Sequence, residues 1–352
     1  MIRHCCRTAF LFGLLAIFCS PALLWAGAKD KRLDIYWIDV DGGASTLIVT
    51  PQGESVLIDT GNPGRRDANR IFTAAAEVAG LKQIDHLVIT HYHRDHFGGA
   101  STLATFIPIK HVYDNGSFEG QRDKPDNDYL EFKCDKRVKI NPGDRFEMQQ
   151  SENAPALQLR CLATRQQMLE VKDAPATPAE TCAAFQPQER DLSDNANSIV
   201  LLLQYGDFKF FDAGDLTWNV EYQLLCPHNK VGEVDVYQVT HHGLDSSNNP
   251  LLVHSLKPTL AVMNNGVTKG CQPRTFATLK NSPGLKALYQ MHKNLREDSE
   301  NNTPDEFIAN LEKDCPGNII KLSVAPDSKT YTVSIPGKQH EKEYQTKTPA
   351  KK

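Results

Sequence analysis

The sequence predicts an α/β fold in which two β-sheets pack against each other and helices cover their outer faces. Short apolar strands and helical segments alternate in two successive runs along the 352-residue chain. Each run ends in side chains that can bind a metal ion, first at residues 91–96 and later at residues 241–242. We therefore expect one functional site along the edge that the two sheets share.

The first run begins with an alternating segment and ends with a buried strand. Its predicted elements are strands over 33–40, 45–50, 55–59 and 87–90 and a helix over 65–79. Gly80 follows the helix, where a glycine is common. The last strand leads directly into the histidines, and a further strand is expected near residues 111–113.

The second run begins after a long polar stretch. It is predicted to hold a hairpin of strands over 198–205 and 208–211, a helix over 219–225, and strands over 234–240 and 258–263. The polar stretch, about residues 117–194, is predicted to be an elaborated insertion rather than a separate domain. Uninterrupted loops of this length are unusual without a function, so we expect part of it to wall the site.

The two ends of the chain differ in composition from the rest. Residues 1–28 carry Arg3 and Arg7, then an apolar block and small residues, which is the layout of a secretory signal peptide. The apolar block is shorter than the about 20 residues of a spanning helix, which favours cleavage over an uncleaved anchor. The protein is therefore predicted to be periplasmic or secreted. The folded domain is assigned to residues 29–337, and a lysine-rich, disordered tail to residues 338–352.

Charge argues against one class of partner, and cysteine content allows covalent cross-links. Residues 1–28 contain two of the 39 basic residues, Arg3 and Arg7, and no acidic residue. The remainder of the chain therefore has 37 basic and 43 acidic residues, a net charge of −6. This charge disfavours non-specific binding to nucleic acid. Six cysteines follow the leader, and in an exported protein they allow three disulfides in any of 15 pairings. They are Cys134, Cys161, Cys182, Cys226, Cys271 and Cys315. No membrane span is expected after cleavage, and the oligomeric state stays open.

The segment at the end of the first run is dense in metal ligands. Three imidazoles and a carboxylate lie within six positions, at His91, His93, Asp95 and His96. Alternate side chains of an extended segment share a face, so His91 and His93 can reach one metal together. Nitrogen plus carboxylate ligands suit zinc, iron or manganese better than calcium or magnesium. The alternative is a solvated histidine-rich loop, which the ligand density disfavours.

Further motifs follow in a recognisable order. The His91-x-His93-x-Asp95-His96 run, followed by a pair of glycines, resembles the metal-binding motif of the metallo-β-lactamase fold superfamily, whose members are αββα sandwiches with a dinuclear metal site. Later motifs of that superfamily are resembled by Leu57-Ile58-Asp59-Thr60-Gly61, Ala213-Gly214-Asp215 and Val239-Thr240-His241-His242-Gly243. The resemblance implies that Asp59 orients a metal-binding histidine, that Asp215 bridges two metals and that His241 completes one shell.

Within the superfamily, the chain resembles the branch of ComEC-type DNA-uptake proteins and phosphorylcholine esterases. Residues 39–44, 194–201, 212–216 and 241–247 carry this resemblance. Two departures stand out. No histidine lies where many members carry a ligand before Asp215, since His111 comes too early, and Asn195 and Asn197 are expected to line that gap. Cys271-Gln272-Pro273 also stands where the branch tends to have Gly-His-Pro.

The resemblance implies an exported hydrolase in which two divalent metals, zinc first and manganese or iron also compatible, lower the pKa of a shared water. His91 and His93 are assigned to one metal, and Asp95 and His96 to the other. If the strand over 234–240 continues, His241 and His242 point to opposite faces, so only one of them is expected to be a ligand, with His241 favoured over His242. Asp95 and His242 are assigned to catalysis, with His242 contacting substrate or protonating the leaving group. Phosphate-ester hydrolysis is predicted first. The alternatives are hydrolysis of a lactone, thioester or β-lactam, and a non-catalytic exported metal-binding protein.

Overall fold

The computed structural model describes residues 30–172 and 174–348, with strands and helices numbered here in chain order. One sheet contains β1 (Leu33–Trp37), β2 (Thr46–Val49), β3 (Ser55–Ile58), β4 (Ile84–Val88), β5 (Ile109–Asp114), β6 (Lys136–Lys139), β15 (Ile320–Val324), β16 (Thr330–Ile335) and β17 (His340–Gln345). Their order across the sheet is β17-β16-β15-β1-β2-β3-β4-β5-β6. The strands from β3 to β6 run parallel to one another.

The second sheet contains β7 (Leu157–Thr164), β8 (Gln167–Met168), β9 (Val200–Tyr205), β10 (Phe208–Asp212), β11 (Val236–Gln238), β12 (Leu260–Met263), β13 (Ala287–His292) and β14 (Ile308–Asn310). Their order is β14-β13-β12-β11-β10-β9-β7-β8. The strands from β10 to β14 run parallel. The predicted hairpin is confirmed, because β9 and β10 pair antiparallel.

Helices lie outside both sheets, so the predicted fold of two packed sheets is confirmed. The helices are α1 (Arg65–Phe72), α2 (Arg94–Phe97), α3 (Ala100–Ala104), α4 (Asn127–Glu131), α5 (Ala179–Ala183), α6 (Trp218–Leu225), α7 (Pro250–Leu256) and α8 (Pro273–Lys280). A π-helical segment, Thr73–Val78, continues α1. None of the helices within the described ranges is long and apolar enough to cross a membrane.

Three apolar clusters define the four layers. Between the sheets, Trp37 and Val56 of the first sheet pack with Leu203 and Phe210 of the second. On the outer face of the first sheet, α1 and α3 bury side chains such as Ile71 against the strands. On the outer face of the second, α6, α7 and α8 do the same. Burial of this kind supplies the main stabilisation, about 25 cal/mol per Å² of apolar surface.

Two predicted boundaries need correction. The stretch 117–194 is not only an irregular insertion, because β6 joins the first sheet and β7 pairs with β9 in the second. The tail is not disordered where it is described, because β17 pairs with β16 and buries Tyr344. The polar composition of both segments obscured these strands, although β17 pairs with the strand that immediately precedes it. The predicted signal peptide falls outside the described residues.

One disulfide links the middle of the chain to the second sheet's helical layer. Cys182 of α5 bonds to Cys226, which follows α6. The other four cysteines among the described residues are unpaired; they are Cys134, Cys161, Cys271 and Cys315. The cross-link fastens the segment of α5 to the end of α6.

Candidate metal centre

The first ligand segment leaves the end of β4 and turns into a short helix. His91 and His93 precede α2, and His93 is extended with φ −94° and ψ 146°. Their ring centroids lie 4.7 Å apart. Asp95 and His96 lie in the first turn of α2. The segment between β4 and α2 thus presents two imidazoles, and the helix redirects the next two ligands toward the second sheet.

A single carboxylate oxygen lies among four of the histidines. The Nε2 atoms of His96, His242, His241 and His91 lie 3.1, 3.2, 3.5 and 3.9 Å from Asp215 Oδ2. Asp215 follows β10, whereas two of these imidazoles come from the first sheet and two follow β11. The two sheets therefore meet at this carboxylate.

The tightest part of the site has two carboxylates and two imidazoles. Asp95, His96, Asp215 and His242 each offer one ligand atom, and these four atoms all lie within 4.8 Å of one another. His242 Nε2 lies 3.3 Å from Asp95 Oδ2 and 3.2 Å from His96 Nε2. His93 is turned away from this set, because its Nε2 faces Asp123 Oδ2 at 3.4 Å.

Asp59 holds the imidazole of His96 from behind. The Thr90 backbone N–H and hydroxyl donate to the Asp59 carboxylate at 2.8 and 2.7 Å. His96 Nδ1 lies 2.7 Å from the same carboxylate, so it donates and leaves Nε2 free to face Asp215. The Thr90 hydroxyl also accepts from His91 Nδ1 at 3.1 Å, which leaves His91 Nε2 with a lone pair.

The roles of His241 and His242 were assigned on the assumption that a strand continues through them, and the structure shows a different backbone. Strand β11 ends at Gln238, and both His241 and His242 adopt left-handed conformations with φ 55°. Both imidazoles consequently face Asp215, and His242 does not point to an opposite face. A Cβ on Gly270 would lie 1.9 Å from the carbonyl oxygen of His242. A side chain at position 270 would therefore displace this turn.

Comparison with known proteins agrees with this geometry. Residues 38–150 match the model of the Metallo-beta-lactamase superfamily. Residues 38–150 are therefore assigned to a metallo-β-lactamase superfamily domain. The matched region includes the first ligand segment and Asp59, whereas Asp215 and the two adjacent histidines lie beyond it. Their place in the domain's site therefore rests on the distances above.

Three curated relatives of the chain come from bacteria. The chain is 26% identical to ComE operon protein 3 of Bacillus subtilis over 74% of its length, and 24% identical to Recombination protein 2 of Haemophilus influenzae over 72%. The alignments cover 30% and 27% of those proteins, so the chain spans less than a third of their length. A UPF0173 metal-dependent hydrolase of Cupriavidus metallidurans is 34% identical over 25% of this chain and 29% of its own length.

Charge in the candidate metal centre is balanced between carboxylates and imidazoles. Burial alone would raise the pKa of Asp215, but the imidazoles of His242, His96 and His241 hold it well below its ordinary value. Burial would likewise lower the pKa of His96, yet the carboxylates of Asp215 and Asp59 hold it well above. Burial and the neighbouring His96 lower the pKa of His91 well below its usual range. His91 is therefore a neutral lone-pair donor.

The residues of the site fit transition-metal ions. Imidazole nitrogens and carboxylate oxygens are the ligands that zinc and its neighbours prefer. His91 Nε2 is buried and has no hydrogen-bond partner within the described part of the chain. A buried polar atom without a partner is costly, and a cation beside Asp215 would satisfy this one.

The structure adds two residues that the sequence patterns did not single out. The Lys269 ammonium contacts Asp95 Oδ2, and the Lys269 side chain is 39% exposed at the rim of the site. Asp123 faces His93 from the polar stretch, as the expectation that this stretch walls the site implied. Neither residue lies in a motif. Lys269 follows β12, which runs parallel to β11, so the two strands end at the same edge of the second sheet.

Other residues stay outside the ligand set. His111 lies on β5 with its ring centroid 5.6 Å from that of His86. Asp212 accepts from Gln238 Nε2 and the Gly214 N–H, both away from the imidazoles. Asn195 does reach the gap, where its Nδ2 lies 3.3 Å from His241 Nε2.

Proposed function

We propose that the protein is an exported hydrolase that uses two divalent transition metals to cleave phosphate esters. The observation that carries the proposal is Asp215 Oδ2, which has four imidazole Nε2 atoms within 3.9 Å. A buried carboxylate among several imidazole nitrogens that can be unprotonated is an arrangement suited to bridging two cations. The relationship to metal-dependent hydrolases of the UPF0173 group supports the same reaction class.

The chain's own residues would hold the ions on either side of Asp215. His91 and His93 would hold one ion, and Asp95 and His96 would hold the other. Two such ions would supply a nucleophilic water at neutral pH and would stabilise the charge that develops on a substrate oxygen. Asp59 and Thr90 keep the imidazoles of His96 and His91 in the tautomer that leaves Nε2 unprotonated.

Lys269 supports an anionic substrate. Its ammonium lies beside Asp95, and both side chains are partly exposed, at 39% and 21%. A cation at the rim of a hydrolytic site favours a substrate that carries negative charge next to the bond that is broken. The backbone of residues 244–248 is a poor phosphate cradle, because the N–H groups of Leu244, Asp245, Ser247 and Asn248 already donate within the protein.

Export is part of the proposal. Disulfides persist in oxidising compartments, and Cys182 and Cys226 form a disulfide. The leader-like composition of residues 1–28 agrees with it. Mass spectrometry of the protein recovered from its native host tests the proposal, because a mature chain beginning at residue 29 is expected in the periplasm or medium.

A hydrolysis panel tests the reaction. The purified mature protein is expected to hold about two transition-metal ions and to cleave bis-p-nitrophenyl phosphate, with His93→Ala and Asp215→Ala far slower. Rapid hydrolysis of a lactone, thioester or cephalosporin without phosphodiesterase activity would replace the substrate class. Wild type no faster than both variants on every substrate, with metal still bound, would favour a binding protein.

A further inference from the structure

We propose that His241 and His242 bind different metal ions, one on each side of Asp215. The proposal rests on the metal centre of the proposed function and specifies how its nitrogen ligands are shared. It gives His242 a ligand role in place of the acid role assigned from the sequence. It also gives His241 the ligand role that, in many members of the superfamily, belongs to a histidine before the bridging aspartate, a histidine that this chain lacks.

The local backbone lets neighbouring side chains address one carboxylate from two directions. His241 and His242 are both left-handed, with ψ 44° and 10°. Their Nε2 atoms lie 3.5 and 3.2 Å from Asp215 Oδ2. Their ring centroids are nevertheless 6.1 Å apart, with 64° between the ring planes. The two rings thus converge on the shared oxygen and diverge elsewhere, as ligands of two bridged ions do.

His242 belongs with Asp95 and His96. Its Nε2 lies within 3.3 Å of ligand atoms of both residues. On the other side of the ring, His242 Nδ1 lies 3.2 Å from the carbonyl oxygen of Asn264. A carbonyl can only accept, so Nδ1 carries the proton and Nε2 keeps its lone pair. The orientation and tautomer both match those of a metal ligand.

His241 lies on the side of His91 and His93. Its Nε2 is 3.3 Å from Asn195 Nδ2. The adjacent Asp194 accepts at 2.8 Å from the N–H of Tyr92, which stands between the two histidines. The hydroxyls of Ser246 and Ser247 hold His241 Nδ1 from behind, each at 3.1 Å. These contacts hold the His241 ring beside the segment that the sequence assigns to the first ion.

Without His241, the first ion would have only two imidazole ligands. His91 and His93 would supply these two, and Asp215 one oxygen, whereas zinc sites commonly have four ligands. His111 cannot contribute, because it is held on β5 beside His86. His241 supplies a third imidazole from a segment that the second ion already uses. One two-residue turn therefore serves both ions.

Metal counting on single and double variants tests the division. Mature wild type, His241→Ala and His242→Ala are loaded with zinc or cobalt, dialysed and analysed by atomic emission, with cobalt absorption spectra as a second readout. Wild type is expected to retain about two ions and each single variant about one, with cobalt spectra that differ between the two. His228→Ala, which removes an exposed histidine distant in sequence from every ligand, is the matched control.

Double variants identify which ion each residue serves. His241→Ala combined with His93→Ala is expected to retain about one ion, because both changes remove ligands of the same ion. His241→Ala combined with His96→Ala is expected to retain none. Retention of an ion by the second combination and not by the first, or two tightly held ions in His241→Ala, would overturn the division. Circular dichroism monitors folding, and His241→Gln replaces any alanine variant that unfolds.

Metal counts separate this inference from the proposed substrate. If wild type holds about two ions but cleaves no phosphate ester, the substrate proposal fails and the division stands on its counts. If wild type holds fewer than about one ion, the dinuclear site and the division both fail.

Discussion

Replacing Asp59 with asparagine should weaken metal binding without disturbing the backbone. Asp59 is 1% exposed and has φ 62°. Asparagine has the same shape and tolerates this left-handed conformation. The change therefore removes a charge and one acceptor oxygen, and it leaves packing in place.

The expected size of the effect follows from the contacts of Asp59. Its carboxylate accepts from the Thr90 N–H, the Thr90 hydroxyl and His96 Nδ1. An asparagine amide can still accept from the N–H, and the hydroxyl can rotate to accept from the amide. His96 must then either lose its partner or move its proton to Nε2, which cannot bind a metal while protonated. Loss of such outer contacts costs roughly 10- to 100-fold in metal affinity, equivalent to about 1.4 to 2.7 kcal/mol.

The assay is a competition for zinc between the protein and a chromophoric chelator. Asp212→Asn is the matched control, because Asp212 is also 1% exposed but bonds to Gln238 and Gly214 rather than to an imidazole. We expect Asp59→Asn to weaken zinc binding and Asp212→Asn to leave it near the wild-type value. Equal losses in both variants, or no loss in Asp59→Asn, would refute the reasoning about the tautomer of His96.

Three further predictions concern the rim, the cross-link and a buried acid. Lys269→Met should raise the KM for a phosphate ester while the metal count stays at the wild-type value, and Lys269→Arg should recover part of the loss. A KM unchanged in Lys269→Met would contradict the recognition role. Cys182→Ala should lower the free energy of unfolding by about 2 to 4 kcal/mol, measured by urea denaturation beside wild type under non-reducing conditions. Burial raises the pKa of Glu221 to about 7, so the unfolded state releases that proton first as pH rises. Stability should therefore fall between about pH 4.5 and 7, by no more than about 3 kcal/mol, and this part of the decline should be absent from Glu221→Gln.

The first ligand segment could be predicted from the sequence because its geometry is local. An extended stretch after a buried strand places His91 and His93 together, and a helical turn places Asp95 and His96. These relations depend on two backbone periods that neighbouring residues determine. The contact of Asp59 with His96 spans 37 residues, and its prediction came from the family resemblance instead.

The orientation of the two adjacent histidines could not be predicted in the same way. A continuing strand places consecutive side chains on opposite faces, which separated His241 from His242. In the structure both adopt φ 55°, a conformation that is uncommon for residues other than glycine. It is held by tertiary contacts such as the one between His242 Nδ1 and Asn264. No local pattern in the sequence reports contacts of this kind.

Edge strands were missed for a different physical reason. Strand β6 reads Lys-Arg-Val-Lys and β17 reads His-Glu-Lys-Glu-Tyr-Gln. Charged side chains are usual on sheet edges because they discourage pairing with other chains. The same composition is typical of disordered segments. Only the pairing of β17 with β16, which lies beside it in the sheet, separates the two interpretations.

The location of Lys269 follows from sheet direction even though its role does not follow from any motif. Strands β10, β11 and β12 are parallel neighbours, so the segments after them emerge at one edge. Asp215 follows the first, His241 and His242 the second, and Lys269 the third. A sheet of this direction brings an acid, two imidazoles and an ammonium together from segments that are far apart in sequence. The metal-binding residues and the substrate-facing cation are therefore consequences of one topology, and Lys269→Met is expected to separate them.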